Sequence, residues 1–269
     1  MERIDEMVLQ ERDYTKFISE EEQNAYELEE RIASRKGIKN NREFPRFSHP
    51  DERIRDFLWH KISLFPNNYL HFLEYKKLDF DEEADNYHKI IYEAKNEREI
   101  QQYIKANHKW FIPGSIFLDY NFGHHDAYLF PEQELGNEYV ADYMLLGKSS
   151  DGYSIILVEF EKANVPYCRT TDNMESESVR KGITQIKDWQ RWMGQFRDYF
   201  LKNIRLSQKG IDVPIYRIFY YLVVSRRDYM NDTVRDIRSQ TMYDMHNVKI
   251  VTFDRLEDNI RKLKSYHSW

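Results

Sequence analysis

Apolar positions change period along this chain, and the changes mark out its elements. Up to about residue 50 they are sparse. Glu20-Glu21-Glu22 precedes the basic residues Arg35, Lys36 and Lys39, so a mobile arm, or an exposed helix followed by a loop over residues 37–45, is expected. Over residues 51–94, Ile54, Phe57, Leu58 and Ile62, then Tyr87, Ile90 and Ile91, recur at helical spacing and predict a small helical region. Ile100, Tyr103 and Ile104 predict a further helix that Pro113-Gly114 ends. Residues 139–146 and the apolar run 155–158 read as strands, joined into a hairpin by turn-forming residues 147–152. Val179, Ile183, Ile186, Met193, Phe196 and Phe200 form the longest helical stripe, with Gln185, Trp189 and Trp192 on its flank. Strand patterns at 215–224 and 248–253 then alternate with helical patterns at 233–242 and 256–263. The expected fold is α/β: a mixed sheet flanked by helices over residues 96–269, preceded by a mostly helical region over residues 1–95.

The hairpin carries a spaced set of acids. Asp142 lies in its first strand, and Glu159 and Glu161 end the second. Alternation places Glu159 and Glu161 on one face, roughly 6 to 7 Å apart along the chain, with Phe160 and Lys162 on the other. Register decides whether Asp142 joins them. If Leu146 pairs with Tyr153, Asp142 falls opposite Leu157 and shares their face; a slip of one residue reverses this. Converging carboxylates repel, so the cluster implies a bound cation or raised pKa values. Hard oxygen donors suit Mg²⁺ or Mn²⁺, and an ion so held supports phosphodiester hydrolysis. Alternating acids are also the ordinary solvated face of a half-buried sheet. Residues 155–158 are continuously apolar, as in a strand covered on both faces, which favours a site at the strand's C-terminal edge.

Asp142, Glu159-x-Glu161 at a strand end and a long helix with Gln185 together resemble the PD-(D/E)XK nuclease superfamily. Three segments, Glu97-Arg98-Glu99-Ile100 through Asn107-His108, Gly136-Asn137-Glu138-Tyr139, and the stretch from Gly182-Ile183-Thr184-Gln185 to Trp192, are similar to the Shedu anti-phage defence proteins. The resemblance implies a restriction-endonuclease-like fold and a defence effector that cleaves DNA with a divalent metal as a homo-oligomer. Asp142 and Glu159 would be metal ligands, and Gln185 a polar helix residue beside them. The superfamily's lysine, two residues after the glutamate, is Glu161 here. Glu161 acting as ligand or base is preferred over Lys162 reaching in through a bulge, or a lysine migrated to Lys181. An acid on the first helix, Glu97 or Glu99, can approach the metal in this superfamily, although acids at a helix start also simply favour its dipole.

Composition narrows the setting. The chain has 269 residues, 32% of them charged, a formal charge of −6 and a single cysteine, Cys168, so no intramolecular disulfide is possible. Neither a signal-peptide stretch nor a run near the roughly 20 apolar residues of a membrane helix occurs, so a cytoplasmic protein without membrane association is expected. No Walker or dinucleotide fingerprint is present, so no nucleotide cofactor is expected. His124-His125-Asp126 lacks zinc-site spacing and reads as a surface loop. His108, Lys109, Arg180, Lys181, Lys187 and Arg191 could contact phosphates, and Ser225-Arg226-Arg227 carries a weaker signal of the same kind. Two rivals stay open: a catalytically weak nuclease-fold module that binds nucleic acid or scaffolds a defence complex, and a glycosidase using paired carboxylates.

Overall fold

The structure is a computed structural model that describes residues 9, 12–35, 41–71, 75 and 77–265. They form two compact units, residues 1–77 and 78–269. Part of the loop expected at 37–45 and the first eight residues lie outside the described set.

In the first unit, α1 (Glu20–Ser34) starts at Ser19, whose hydroxyl accepts from the Glu22 N–H. Its inner face carries acids as well as Ala25 and Ile32. Glu22 pairs with Arg12 at 2.7 Å and Glu29 with Arg46 at 3.1 Å, so neither carboxylate is buried alone. After α2 (Pro45–Ser48), α3 (Glu52–Ile62) supplies the apolar centre, where Ile54, Phe57 and Leu58 pack with Tyr14 and Ala25. The N-terminal segment is thus a helix with a packed face.

The second unit begins with α4 (Phe80–Glu93), α5 (Glu97–Ala106) and α6 (Phe111–Gly114). Then come β1 (Asp126–Leu135), β2 (Tyr139–Ser149), β3 (Gly152–Phe160), α7 (Glu177–Asn203), β4 (Ile218–Val223), α8 (Asp232–Asp244), β5 (Val248–Val251) and α9 (Phe253–Leu263). The strands form one sheet in the order β1-β2-β3-β4-β5, antiparallel across the first three and parallel from β3 to β5. The fold is therefore α/β with a mixed sheet. α4 packs on α9 through Arg261–Asp85 (2.6 Å) and His88–Glu257 (2.8 Å), which joins residues 80–93 to this unit.

Each sheet face has its own cover. Leu222 abuts α7, where a Cβ on Gly182 would lie 2.5 Å from its Cδ1. On the other face, Tyr221 donates its hydroxyl to Asp119, which also holds Arg255 of α9, and Phe160 meets Phe253 edge-on. Among the described residues no helix is long and apolar enough to cross a membrane.

Several boundaries depart from the sequence reading. β1 lay outside the predicted elements; its Pro131 is tolerated because β1 is an edge strand with one side unpaired. Residues 215–217 form a 3₁₀ turn before β4, and Phe253 opens α9 instead of ending β5. Phe196 breaks helical geometry inside α7 (φ −122°, ψ 17°) and is exposed, so it leaves the predicted apolar stripe. The hairpin turn is tighter than residues 147–152: Ser149 pairs with Gly152, whose φ of +111° favours glycine.

Candidate active site

Register brings the hairpin's acids together. Leu146 pairs with Ile155 and Tyr143 with Val158, two residues away from the Leu146–Tyr153 pairing considered for the sequence. A two-residue offset preserves parity, so Asp142 falls across from Glu159, on its face. The ladder ends there. In place of a backbone carbonyl, the Asp142 carboxylate accepts the Phe160 N–H at 2.6 Å. On the other side, the Glu161 N–H donates to Val223 O at 2.9 Å, which extends the alternation of β3 one residue past its end. Glu159 and Glu161 therefore both face α7, and Glu159 shares its position along the sheet with Leu222.

α7 closes over this edge because Gly182 has no side chain; a Cβ there would also sit 3.1 Å from Glu161 Cγ. That approach delivers three polar groups. Lys181 Nζ lies 2.8 Å from Glu161 Oε1, the Ser178 hydroxyl donates to Glu161 Oε2 at 3.1 Å, and the Gln185 amide lies close enough to Glu159 to favour its ionised form. Lys162 is exposed, and the ammonium that reaches the acids belongs to Lys181. The helix-borne lysine, ranked behind Glu161 alone on sequence grounds, is thus part of the cluster.

α5 contributes as well. The Gln101 amide lies close enough to Asp142 to favour its ionised form, and Glu97 adds negative charge near both Asp142 and Lys181. One turn separates Glu97 from Gln101, so they share a helix face. Glu99 is occupied elsewhere: its carboxylate accepts the Lys95 N–H (3.0 Å) while the Asn96 side chain accepts the Glu99 N–H (3.2 Å), an exchange like a capping box that starts α5. Gln101 was missed in the sequence, where a neutral amide on an amphipathic helix carries no signal of its own.

The electrostatics record the crowding. Burial, then the charges of Asp142 and Glu161, push the Glu159 carboxyl up to about 10, against the opposing pull of Lys181 and Gln185. Burial likewise raises Asp142 to about 6, opposed by its bonds from Phe160 and Gln101 and reinforced by Glu161 and Glu97. Burial disfavours the charged Lys181, but its bond to Glu161 and the surrounding acids outweigh this and raise its pKa. Glu159 is 6% exposed, and its Oε2 is buried without a hydrogen-bond partner. An orphaned carboxylate oxygen among hard oxygen donors fits a divalent cation such as Mg²⁺. Beside the acids, an open cleft of about 620 Å³ runs between the start of β2 and the first turns of α7, lined by Tyr139, Arg180, Lys181 and Gln185 among others.

The other sequence candidates lie elsewhere. His124 and His125 are exposed in a loop. Lys109 pairs with Glu83 (2.5 Å), Arg191 with Asp188, Arg226 with Asp228 (3.2 Å) and Arg227 with Asp258. Cys168 is buried, and burial raises its thiol pKa, which makes it a poor nucleophile.

Among curated proteins no significant match is found. The family model described as "Shedu protein SduA, C-terminal" matches residues 94–256, a span that runs from just before α5 into α9 and contains every residue of the acid cluster. A match over more than half of the chain places it: this protein belongs to the Shedu family.

Proposed function

We propose that the protein is a metal-dependent DNA endonuclease of anti-phage defence, with its site at the β2–β3 edge beneath α7. Membership in the Shedu family suggests the defence role. The observation that carries the chemistry is the buried Glu159, its pKa pushed up by Asp142 and Glu161 and its Oε2 lacking a partner. Asp142, Glu159 and Glu161 would hold Mg²⁺, or Mn²⁺ in its place. When bound, the ion supplies charge neutralisation for a phosphodiester and lowers the pKa of a coordinated water.

The chain's own groups divide the remaining work. Lys181, held 2.8 Å from Glu161 and open to the cleft, supplies the positive charge that a lysine on β3 would otherwise bring to an attacked phosphate. Glu161 anchors that ammonium and offers a carboxylate to the incoming water. The Phe160 N–H orients Asp142, and the amides of Gln185 and Gln101 favour the ionised forms of Glu159 and Asp142 that a cation requires. Arg180 in the cleft wall is placed to meet the nucleic-acid backbone. The family resemblance further implies a homo-oligomer, which the solution mass would test.

The deciding assay incubates linear and circular DNA with the purified chain, with Mg²⁺ or a chelator. Cleavage that requires the metal and disappears in a folded Glu159→Gln variant is expected. Cleavage retained by that variant would move the site. Mg²⁺ binding without cleavage of any DNA form would favour a nucleic-acid-binding or scaffolding module.

A further inference from the structure

The first unit holds a second constellation unrelated to the acids of the sheet. Among the described residues, one group of three metal-capable side chains has its donor atoms all within 4.8 Å of one another: Asp56, His60 and His71. Among the described residues, the acids of the β2–β3 edge do not form such a group.

Helix geometry explains half of it. Asp56 and His60 are four apart on α3 and therefore lie one above the other on the same face. The chain then turns through a 3₁₀ segment, Pro66–Asn68, and returns His71 to that face, where its Nδ1 meets Asp56 Oδ1 at 2.6 Å. His60 is oriented from behind by the Pro66 carbonyl, 2.9 Å from its Nδ1, the kind of backbone partner that fixes the ring of a ligating histidine. Both imidazoles are buried, 1% and 5% exposed, whereas the Asp56 side chain keeps 24% exposure and leaves a way in from solvent. Stacked rings complete the wall: Tyr14 lies on His60 with centroids 3.8 Å apart, and Tyr69 on His71 at 5.7 Å.

We propose that Asp56, His60 and His71 form a binding site for one transition-metal dication of the zinc type, with a fourth position left to water. Two imidazoles and one carboxylate are a donor set that zinc, cobalt and iron prefer over magnesium. A four-coordinate ion about 2.0–2.1 Å from each donor needs donor separations of about 3.3 Å, so a contraction within the 4.8 Å envelope and an opening of the 2.6 Å pair suffice. Such a site staples α3 to the segment after it.

The test strips the full chain with a chelator and titrates it with Co²⁺, a visible-absorbing stand-in for Zn²⁺. One Co²⁺ per chain with the intense absorption of four-coordinate cobalt, displaced by Zn²⁺ and accompanied by a rise in melting temperature, is expected. The signal should persist in Glu159→Gln, which alters only the oxygen-rich site, and vanish in a His60→Gln/His71→Gln double variant. Should the double variant fail to fold, Asp56→Asn replaces it, with affinity at least 10-fold weaker expected from the lost carboxylate charge. Absence of four-coordinate absorption in the wild-type chain, or undiminished affinity in the folded variants, would overturn the site.

Discussion

Replacing Glu159 by glutamine should make the metal-free protein more stable, the reverse of what deleting a buried side chain's partner usually does. Glu159 is 6% exposed and its carboxyl is raised from an ordinary 4.5 to about 10 by burial and by Asp142 and Glu161. A group whose folded pKa lies above its unfolded one contributes fully only below about 4.5, and that contribution is lost as pH rises towards 10. At pH 7 the unfolded carboxyl is ionised while the folded one keeps its proton. The difference between 7 and 4.5, at about 1.4 kcal/mol per unit, amounts to about 3 kcal/mol of lost stability. Glutamine has the shape without the ionisation and escapes this loss. For a chain of this size the gain reads as a rise of roughly 6–12 °C in melting temperature. Melts in chelator at pH 5, 7 and 9 should show the gap between variant and wild type widening with pH. Mg²⁺ should raise the wild type's melting temperature and leave the variant's nearly unchanged. A variant that melts at or below the wild type at pH 7 to 9 in chelator would refute the crowding on which the metal site rests.

Three further outcomes follow from the same geometry. Lys181→Met should lower Mg²⁺-dependent cleavage on the order of 10²-fold while Lys162→Met stays near wild type, measured on matched linear DNA; equal losses would remove Lys181 from its assigned role. Gly182→Ala places a Cβ 2.5 Å from Leu222 Cδ1 and 3.1 Å from Glu161 Cγ. Its overpacking of about 1–3 kcal/mol is partly offset by about 1 kcal/mol of helix propensity, so denaturant melts should shift little while cleavage falls. Asp119→Ala should cost about 1–2 kcal/mol in urea unfolding, because it leaves the buried Tyr221 hydroxyl without its acceptor while the half-exposed Arg255 guanidinium turns to water. Burial raises the Asp119 carboxyl, but Arg255 and Tyr221 outweigh it and hold the pKa low. The stabilisation is therefore present above pH 4 and lost only as pH falls through the depressed value.

What could be read from the sequence was what parity and period encode. The strand pair around Asp142 and Glu159 was legible because a two-residue register shift leaves every side chain on its face, so the wrong pairing still put Asp142 on the same face as Glu159. β1 was not legible, because an edge strand tolerates Pro131 and alternates with solvent-facing Glu132 and Glu134, which mimic a loop. Glu97 and Glu99 looked equivalent as first-turn acids. Only the capping box at Asn96 separates them, sending Glu99 back to the backbone and Glu97 towards the cluster. The Asp56, His60 and His71 group was invisible for a different reason: its third member arrives through a turn whose direction no spacing encodes.

In the proposed site, Lys181 on α7 supplies the positive charge that a lysine beside Glu159 on the strand would otherwise bring. With Glu161 on β3, no ammonium of the strand shares the acids' face, because the next residue, Lys162, has the opposite parity. A lysine can then return only from another element that passes within side-chain reach. α7 does so because Gly182 removes the atom that would hold it off Leu222 and Glu161. Lys181 precedes that glycine directly, so the closest approach of helix to sheet and the position of the ammonium are set by the same contact. Glu161 then holds that ammonium, 2.8 Å from its Oε1. The two positions depend on each other: exchanging Glu161 for lysine in the presence of Lys181 would crowd two ammonium groups where one now pairs with a carboxylate, so Glu161→Lys alone should fail where Glu161→Lys with Lys181→Glu recovers cleavage.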